Sequence, residues 1–225
     1  MKRKQGTALI WIGVVLILAS LCLTGYNIYD ANRAKESSEQ VLEQLIPMVP
    51  THPPVEDVPE VTEPPVHVDE VEIPDYLLNP KMAMPEKEVD GRNYIGILEI
   101  SSLDLNLPVI GDWSMDNVRY APCRYEGSAY LKNLIIAAHN YNGHFGRVKE
   151  LQVGDEVRFT DMDGNLFVYQ VVERETLMPT AIREMSAGEW DLTLFTCTVG
   201  GAYRLTIRCE LLLEDGSHPN QQWFQ

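Results

Sequence analysis

The chain is poor in positive charge: 18 Lys and Arg stand against 33 Asp and Glu, for a formal net charge of -15. A nucleic-acid binder needs a basic footprint, so that class is excluded. Cysteine is also scarce. The four cysteines, Cys22, Cys123, Cys197 and Cys209, form no CxxC pair, which argues against a zinc ribbon or a thioredoxin-like motif. No internal repeat is visible, and no acidic stretch reads as a calcium or other metal site. The acids of Asp112–Asp116 and Glu150–Asp163 read as solvated, and no cofactor is expected.

The acidity is local. Between Pro47 and Asp90, eleven acids face only Lys81 and Lys87, which accounts for nine of the fifteen excess negative charges. Ten of the fourteen prolines lie between Pro47 and Pro85. Proline removes backbone donors and like charges repel, so this part of the chain predicts an extended spacer with no core of its own.

A different composition precedes it. Lys2, Arg3 and Lys4 lead into an uncharged run from Thr7 to Tyr26. As a helix, about 20 residues span about 30 Å, the thickness of a bilayer's hydrocarbon core. The basic cluster before the run predicts a cytoplasmic N-terminus and everything after Tyr26 outside. A cleaved signal would have a shorter run and a small-x-small site, which Leu23-Thr24-Gly25 does not supply. Leu21 before Cys22 does not suit a lipoprotein signal. From Asn27 to Ile46 the chain is polar with scattered aliphatics, consistent with a helix continuing out of the membrane. The expected organisation is a cytoplasmic tail at 1–6, a transmembrane anchor at 7–26, a stalk at 27–90, a folded domain at 91–213 and a polar tail at 214–225.

The folded domain reads as short strands and turns. Strands are predicted at Tyr94–Ile100, Leu105–Ile110, Leu134–Ala138, Val157–Thr160, Leu166–Val172, Asp191–Thr196 and Tyr203–Leu213. Asp161–Asn165 is a hairpin signal, and short helices are expected near Met115–Val118, Gly146–Leu151 and Thr180–Met185. Close-spaced strands with few helices predict an all-β, closed barrel.

The chemistry concentrates in the last strand pair. Leu192-Thr193-Leu194-Phe195-Thr196-Cys197 puts a cysteine at a strand end, Gly200-Gly201 turns the chain, and Arg204 opens the return strand. A thiolate beside a guanidinium suits acyl transfer, the sulfur attacking a carbonyl and the cation holding the oxyanion. Strand parity places Arg204, Thr206 and Arg208 on one face and Leu205, Ile207, Cys209 and Leu211 on the other, so Cys209 reads as core. Cys123 reads as structural, with a Cys123–Cys209 disulfide left open. The leaving amine needs an acid. His52 and His67 fall in the spacer and His218 in the tail. His139, at the end of a buried strand, is the first candidate, and His144 in a Gly-flanked loop is the second.

The ordered set of features resembles the sortase family. Thr193-Leu194-Phe195-Thr196-Cys197 matches its TLxTC motif in full. His139 precedes it and Arg204 follows it. Tyr94–Ile100 with Leu107-Pro108-Val109, and Phe145-Gly146 with Leu151–Val157, resemble other stretches of the family's domain. The resemblance implies an eight-stranded closed barrel and a cysteine transpeptidase that cuts an LPxTG-like sorting signal between Thr and Gly. It implies Cys197 as nucleophile, His139 as acid/base and Arg204 as oxyanion clamp and substrate contact, with Thr196 also at the substrate and Arg208 as the fallback clamp. The implied partners are sorting-signal peptides and an amine acceptor, either a cell-wall precursor or a pilin lysine, in a Gram-positive bacterium.

Departures from the family pattern are Ala138 where Gly is usual, Asn140 where Arg is common, and a short interval from Cys197 to Arg204. No second apolar run follows Leu213, and Thr176–Trp190 is short. General surface-protein anchoring is therefore the expected subclass, ahead of pilin polymerisation or haem-protein anchoring. The competing readings are a stalked, non-catalytic surface binding module and a cysteine peptidase that uses water.

Overall fold

The computed structural model describes residues 2–50, 73–186 and 190–212, with side chains from residue 9 onward. Helix α1 runs from Lys2 to Leu45. It is the one described helix long and apolar enough to cross a membrane by length and composition. A one-turn helix α2 (Asp75–Leu78) follows, then nine strands: β1 (Lys87–Val89), β2 (Arg92–Ile100), β3 (Leu105–Ile110), β4 (Cys123–Glu126), β5 (Leu134–Ala138), β6 (Glu156–Asp161), β7 (Leu166–Leu177), β8 (Leu192–Cys197) and β9 (Arg204–Leu211). A short α3 (Ile182–Met185) lies between β7 and β8.

The strands form one sheet in the order β1-β2-β3-β4-β5-β8-β9-β7-β6, and β6 returns to pair with β2. Gly96 through Glu99 of β2 face Asp161 through Arg158 of β6, which closes an eight-stranded barrel from β2 to β9. Strand β1 is an extra piece, paired only with the start of β2. At the closing seam a Cβ on Gly96 would stand 2.4 Å from both the Phe159 ring and the Thr160 carbonyl oxygen, so a side chain there would hold the seam apart. Closure leaves the barrel no free edge to template aggregation.

Inward residues follow the two-residue period of strands. Leu98, Ile100, Leu107, Val109, Leu134, Ile136, Phe159, Tyr169, Leu194, Ile207 and Cys209 fill the interior. The expected hairpin turn is built by one side chain: Asp161 Oδ1 accepts the backbone N–H groups of Asp163 and Asn165, each at 2.9 Å. Its other oxygen accepts the Tyr130 hydroxyl at 2.7 Å.

Cys123 and Cys209 are both buried and both free thiols, so the disulfide left open by the sequence is absent. Burial pushes the Cys123 thiol up to about 12 and the Cys209 thiol higher still, so neither is a nucleophile at neutral pH.

The ends of the expected stalk are built into the fold. Ala34, Ser38, Val41 and Leu45 of α1 are buried. Their spacing of four, three and four residues makes one helical stripe. Val41 and Leu45 join Val89, Tyr94, Ile110, Val118, Ala121, Cys123 and Met162 in a second apolar cluster outside the barrel. Full burial of a leucine such as Leu45 contributes about 2 kcal/mol, so the helix is docked on the barrel wall. Met84 and Val89 are buried from the other end. Residues 51–72, most of the Pro-rich stretch, lie outside the described residues, as do Leu213 and the expected 214–225 tail.

Candidate active site

Three strands bring the candidate residues to one rim. β5 and β8 run parallel, with Ala138 beside Thr196. The next residues along the two chains are His139 and Cys197, and both line the same cleft. β8 and β9 are antiparallel, with Cys197 directly opposite Arg204. Neighbouring strands lie about 5 Å apart. His139, Cys197 and Arg204 thus come to one cleft at the ends of three adjacent strands, with Cys197 on the middle strand. By alternation Cys197 shares its face with Thr193 and Phe195, while Leu192 and Leu194 point into the core.

The short interval from Cys197 to Arg204 serves this register. The Thr198 N–H donates to the Tyr203 carbonyl at 3.0 Å, and Gly201 N–H to the Thr198 carbonyl at 2.8 Å. Gly200 and Gly201 take φ of 84° and 75°, a left-handed backbone that glycine adopts without steric cost. Thr196 lines the cleft, but its hydroxyl donates to the Ala138 carbonyl at 2.8 Å. In this structure it ties the ends of β5 and β8 together, which keeps His139 and Cys197 in register.

The cleft has a volume of about 310 Å³. The cleft is lined by the aromatic residues Trp113, Tyr125 and Phe195 and by Met178, Pro179, Ile182 and Met185 of the β7–β8 connection. The aromatic residues are ordered edge to face: Trp113 on Tyr125 at 5.9 Å and Tyr125 on Phe195 at 5.3 Å between ring centroids.

Arg204 is partly buried at the cleft. Its guanidinium donates to the Gly201 and Tyr203 carbonyls, both at 3.2 Å. These are long, exposed bonds that a carbonyl or oxyanion in the cleft could replace. Arg208 is different. It is 2% exposed. It donates to Glu175 at 2.7 Å, Thr193 Oγ1 at 2.9 Å, the Met185 carbonyl at 3.1 Å and the Glu184 carbonyl at 2.6 Å. The fallback clamp is therefore a structural clip that holds the β7–β8 connection against the barrel.

The two histidines also separate. His139 lines the cleft, and its Nε2 is buried with no hydrogen-bond partner among the described residues. Burial lowers its pKa, helped by Arg119 and opposed by Asp30. His144 is fully buried beneath α1 and does not line the cleft. The Ser38 hydroxyl donates to the Tyr120 carbonyl at 2.9 Å and sits 3.1 Å from His144 Nε2. With its one proton committed, that hydroxyl accepts from His144, which fixes the proton on Nε2. Burial, then the neighbouring His139, push the His144 pKa down to about 4.

That shift has a consequence for stability. The unfolded chain binds the His144 proton near 6.5 and the folded chain only near 4. The unfolded state gains protons first on acidification, so stability is full above about pH 6.5 and falls toward pH 4, by on the order of 3 kcal/mol. Thermal melting of the full chain is expected to drop between about pH 7 and pH 5, and His144→Gln, which keeps an N–H for Ser38, is expected to flatten that drop.

The sequence reading missed Asp30, Ser38 and Tyr141, which approach the His139 loop from α1 and from within it. The helical stripe at Ala34, Ser38, Val41 and Leu45 was the available signal. Among the described residues no group of three or more His, Cys, Asp or Glu is arranged to hold a metal ion.

A cysteine between a histidine and an arginine, at the rim of a closed barrel, defines a site suited to acyl transfer. The comparisons name its class. A family model described as the Sortase domain matches residues 98–212, and the chain belongs to the sortase family. Among solved structures, sortase A from Corynebacterium diphtheriae is 20% identical with a TM-score of 0.51, over 57% of this chain and 65% of that chain. A Clostridium perfringens Sortase D5 transpeptidase is 22% identical with a TM-score of 0.49, over 56% of this chain and 83% of that chain. The first likeness bears on the fold, and its alignment spans just under two thirds of that protein. A search of curated proteins gives no match.

Proposed function

We propose that this sortase is a membrane-anchored cysteine transpeptidase that cuts an LPxTG-like sorting signal between Thr and Gly. The observation that carries the reading is the meeting of His139, Cys197 and Arg204 at one cleft, set by the register of β5, β8 and β9. Cys197 gives its proton to His139, and its sulfur attacks the Thr carbonyl carbon. The oxyanion is held by Arg204. The C–N bond to Gly breaks as the imidazolium passes that proton to the departing amine. A thioester remains on Cys197. An incoming amine attacks it and loses a proton to His139, and the thiol is restored.

The apolar lining from Met178, Pro179, Ile182 and Phe195 suits the Leu-Pro part of such a signal. The basic Lys2-Arg3-Lys4 cluster favours a cytoplasmic N-terminus, with the barrel outside the cell. The acceptor amine would then be a cell-wall precursor or a pilin lysine in a Gram-positive bacterium, with general surface-protein anchoring the favoured subclass.

The test uses the full chain in lipid nanodiscs with fluorescent LPxTG-like peptides, with and without triglycine. Cleavage whose product becomes the triglycine adduct supports transpeptidation, and a product unchanged by amine would mark a peptidase using water. Arg204→Ala is expected to lower kcat/KM about 100-fold through lost oxyanion stabilisation, with Arg204→Lys recovering only part of it.

A further inference from the structure

Helix α1 touches the loop that follows β5 at three places. Asp30 Oδ2 accepts the Tyr141 hydroxyl at 2.5 Å. Lys35 lies so close that a Cβ on Gly143 would stand 2.8 Å from its Cβ. Ser38 meets His144 at 3.1 Å. The loop is also tied within itself. The Phe145 N–H donates to the His139 carbonyl at 3.1 Å, and the His144 and Gly146 N–H groups donate to the Tyr141 carbonyl at 2.9 and 2.8 Å. The Tyr141 ring stacks on the His139 imidazole, with centroids 4.9 Å apart and planes 27° apart. A bond from α1 to Tyr141 therefore fixes the plate on which the His139 ring rests.

We propose that α1 beyond its apolar run is a working part of the active site, in which Asp30 acts through Tyr141 as a positioning residue for the His139 imidazole. The proposal rests on His139 being the acid/base of the reaction proposed above. Asp30 is four residues past Tyr26, about 6 Å along the helix. The segment leaving the membrane therefore reaches the loop beneath the His139 ring almost at once, and the barrel needs its anchor helix for an ordered site as well as for tethering.

The charged and titratable groups around His139 are Asp30 from α1, Arg119 from the one-turn helix Asn117–Arg119, Tyr141 and His144 from its own loop, and Cys197 and Arg204 across the cleft. Asp30 raises the His139 pKa and Arg119 lowers it. Removing the Asp30 charge leaves Arg119 unopposed, so the imidazole should protonate at lower pH. The Asp30 charge acts on that midpoint through space, so Tyr141→Phe, which keeps the charge and loses the hydroxyl link, isolates the positioning step.

The experiment uses the full chain in nanodiscs with Asp30→Asn, Asp30→Glu and Tyr141→Phe. The phenylalanine keeps the stacked ring and loses only the hydroxyl. Two quantities are read: the His139 titration by NMR, assigned with His139→Gln, and kcat and KM for peptide cleavage. Asp30→Asn and Tyr141→Phe are each expected to lower kcat about 10-fold with little change in KM. Asp30→Asn should also shift the His139 midpoint downward, and Asp30→Glu should restore both quantities. Unchanged kcat and an unchanged midpoint in the folded variants would overturn the proposal, as would loss of thermal stability without a midpoint shift. If the parent chain cleaves no sorting-signal peptide, the transpeptidase reading fails on its own, and the NMR midpoint still decides whether Asp30 reaches His139.

Discussion

Cys197→Ala is expected to abolish sorting-signal cleavage, by more than about 1000-fold, while the barrel stays folded. The side chain lies on the outer face of β8 at the cleft and is only partly buried. Its removal empties no core position. The bond that orders this strand end, Thr196 to the Ala138 carbonyl, does not involve it. The lost rate is the covalent step itself, because no other thiol can substitute. Cys123 and Cys209 are buried with thiol pKa values pushed well up, and Cys22 lies in the apolar run of α1. Cys209→Ala is the control. It should cost stability through a small core cavity and leave the chemistry in place. Cleavage rates and thermal melts of both variants check the contrast.

Arg208→Met is expected to cost about 2 to 3 kcal/mol of stability, because it removes a buried guanidinium and strands its hydrogen-bond partners, while the ion-pair share is reduced by the partial exposure of Glu175. Four groups lose their donor: Glu175, the Thr193 hydroxyl and the Glu184 and Met185 carbonyls. The last two belong to the connection that carries Met178, Pro179 and Ile182 over the cleft. The same variant should therefore raise KM for peptide while leaving the reactivity of Cys197 toward a small alkylating reagent unchanged. Differential scanning calorimetry and the KM-against-kcat split measure the two halves. A variant with a normal melt and a normal KM would show that the clip does not hold this wall.

Much of the candidate site was legible because it is local. Thr193–Cys197 is a strand end with its motif intact, two glycines mark the turn, and parity along β9 places Cys209 in the core, where it is buried. The strand from Leu134 to Ala138 was evident as an unbroken apolar run. What escaped depends on contacts distant in sequence. Strand β4 is four residues long, begins after Pro122 and meets β3 in a single register pair, Ile110 with Cys123, so its periodicity is too short to read. Parity assigned Arg208 to the outer face correctly. That this face is covered follows only from where the residues around α3 fold back. His144 remained a second candidate base because it is buried where α1 meets its loop, through Ser38 106 residues earlier. The stripe on α1 was hidden in a segment whose overall composition is polar.

The set of three residues makes its sharpest claim about one bond, the thioester on Cys197. Intact-mass spectrometry of the full chain, mixed with an LPxTG-like peptide in the absence of amine, tests it directly. An adduct equal in mass to the peptide up to and including its Thr is expected on Cys197, released by hydroxylamine or triglycine and absent from Cys197→Ala. Cleavage that proceeds without such an adduct, or an adduct that persists in Cys197→Ala, would contradict it.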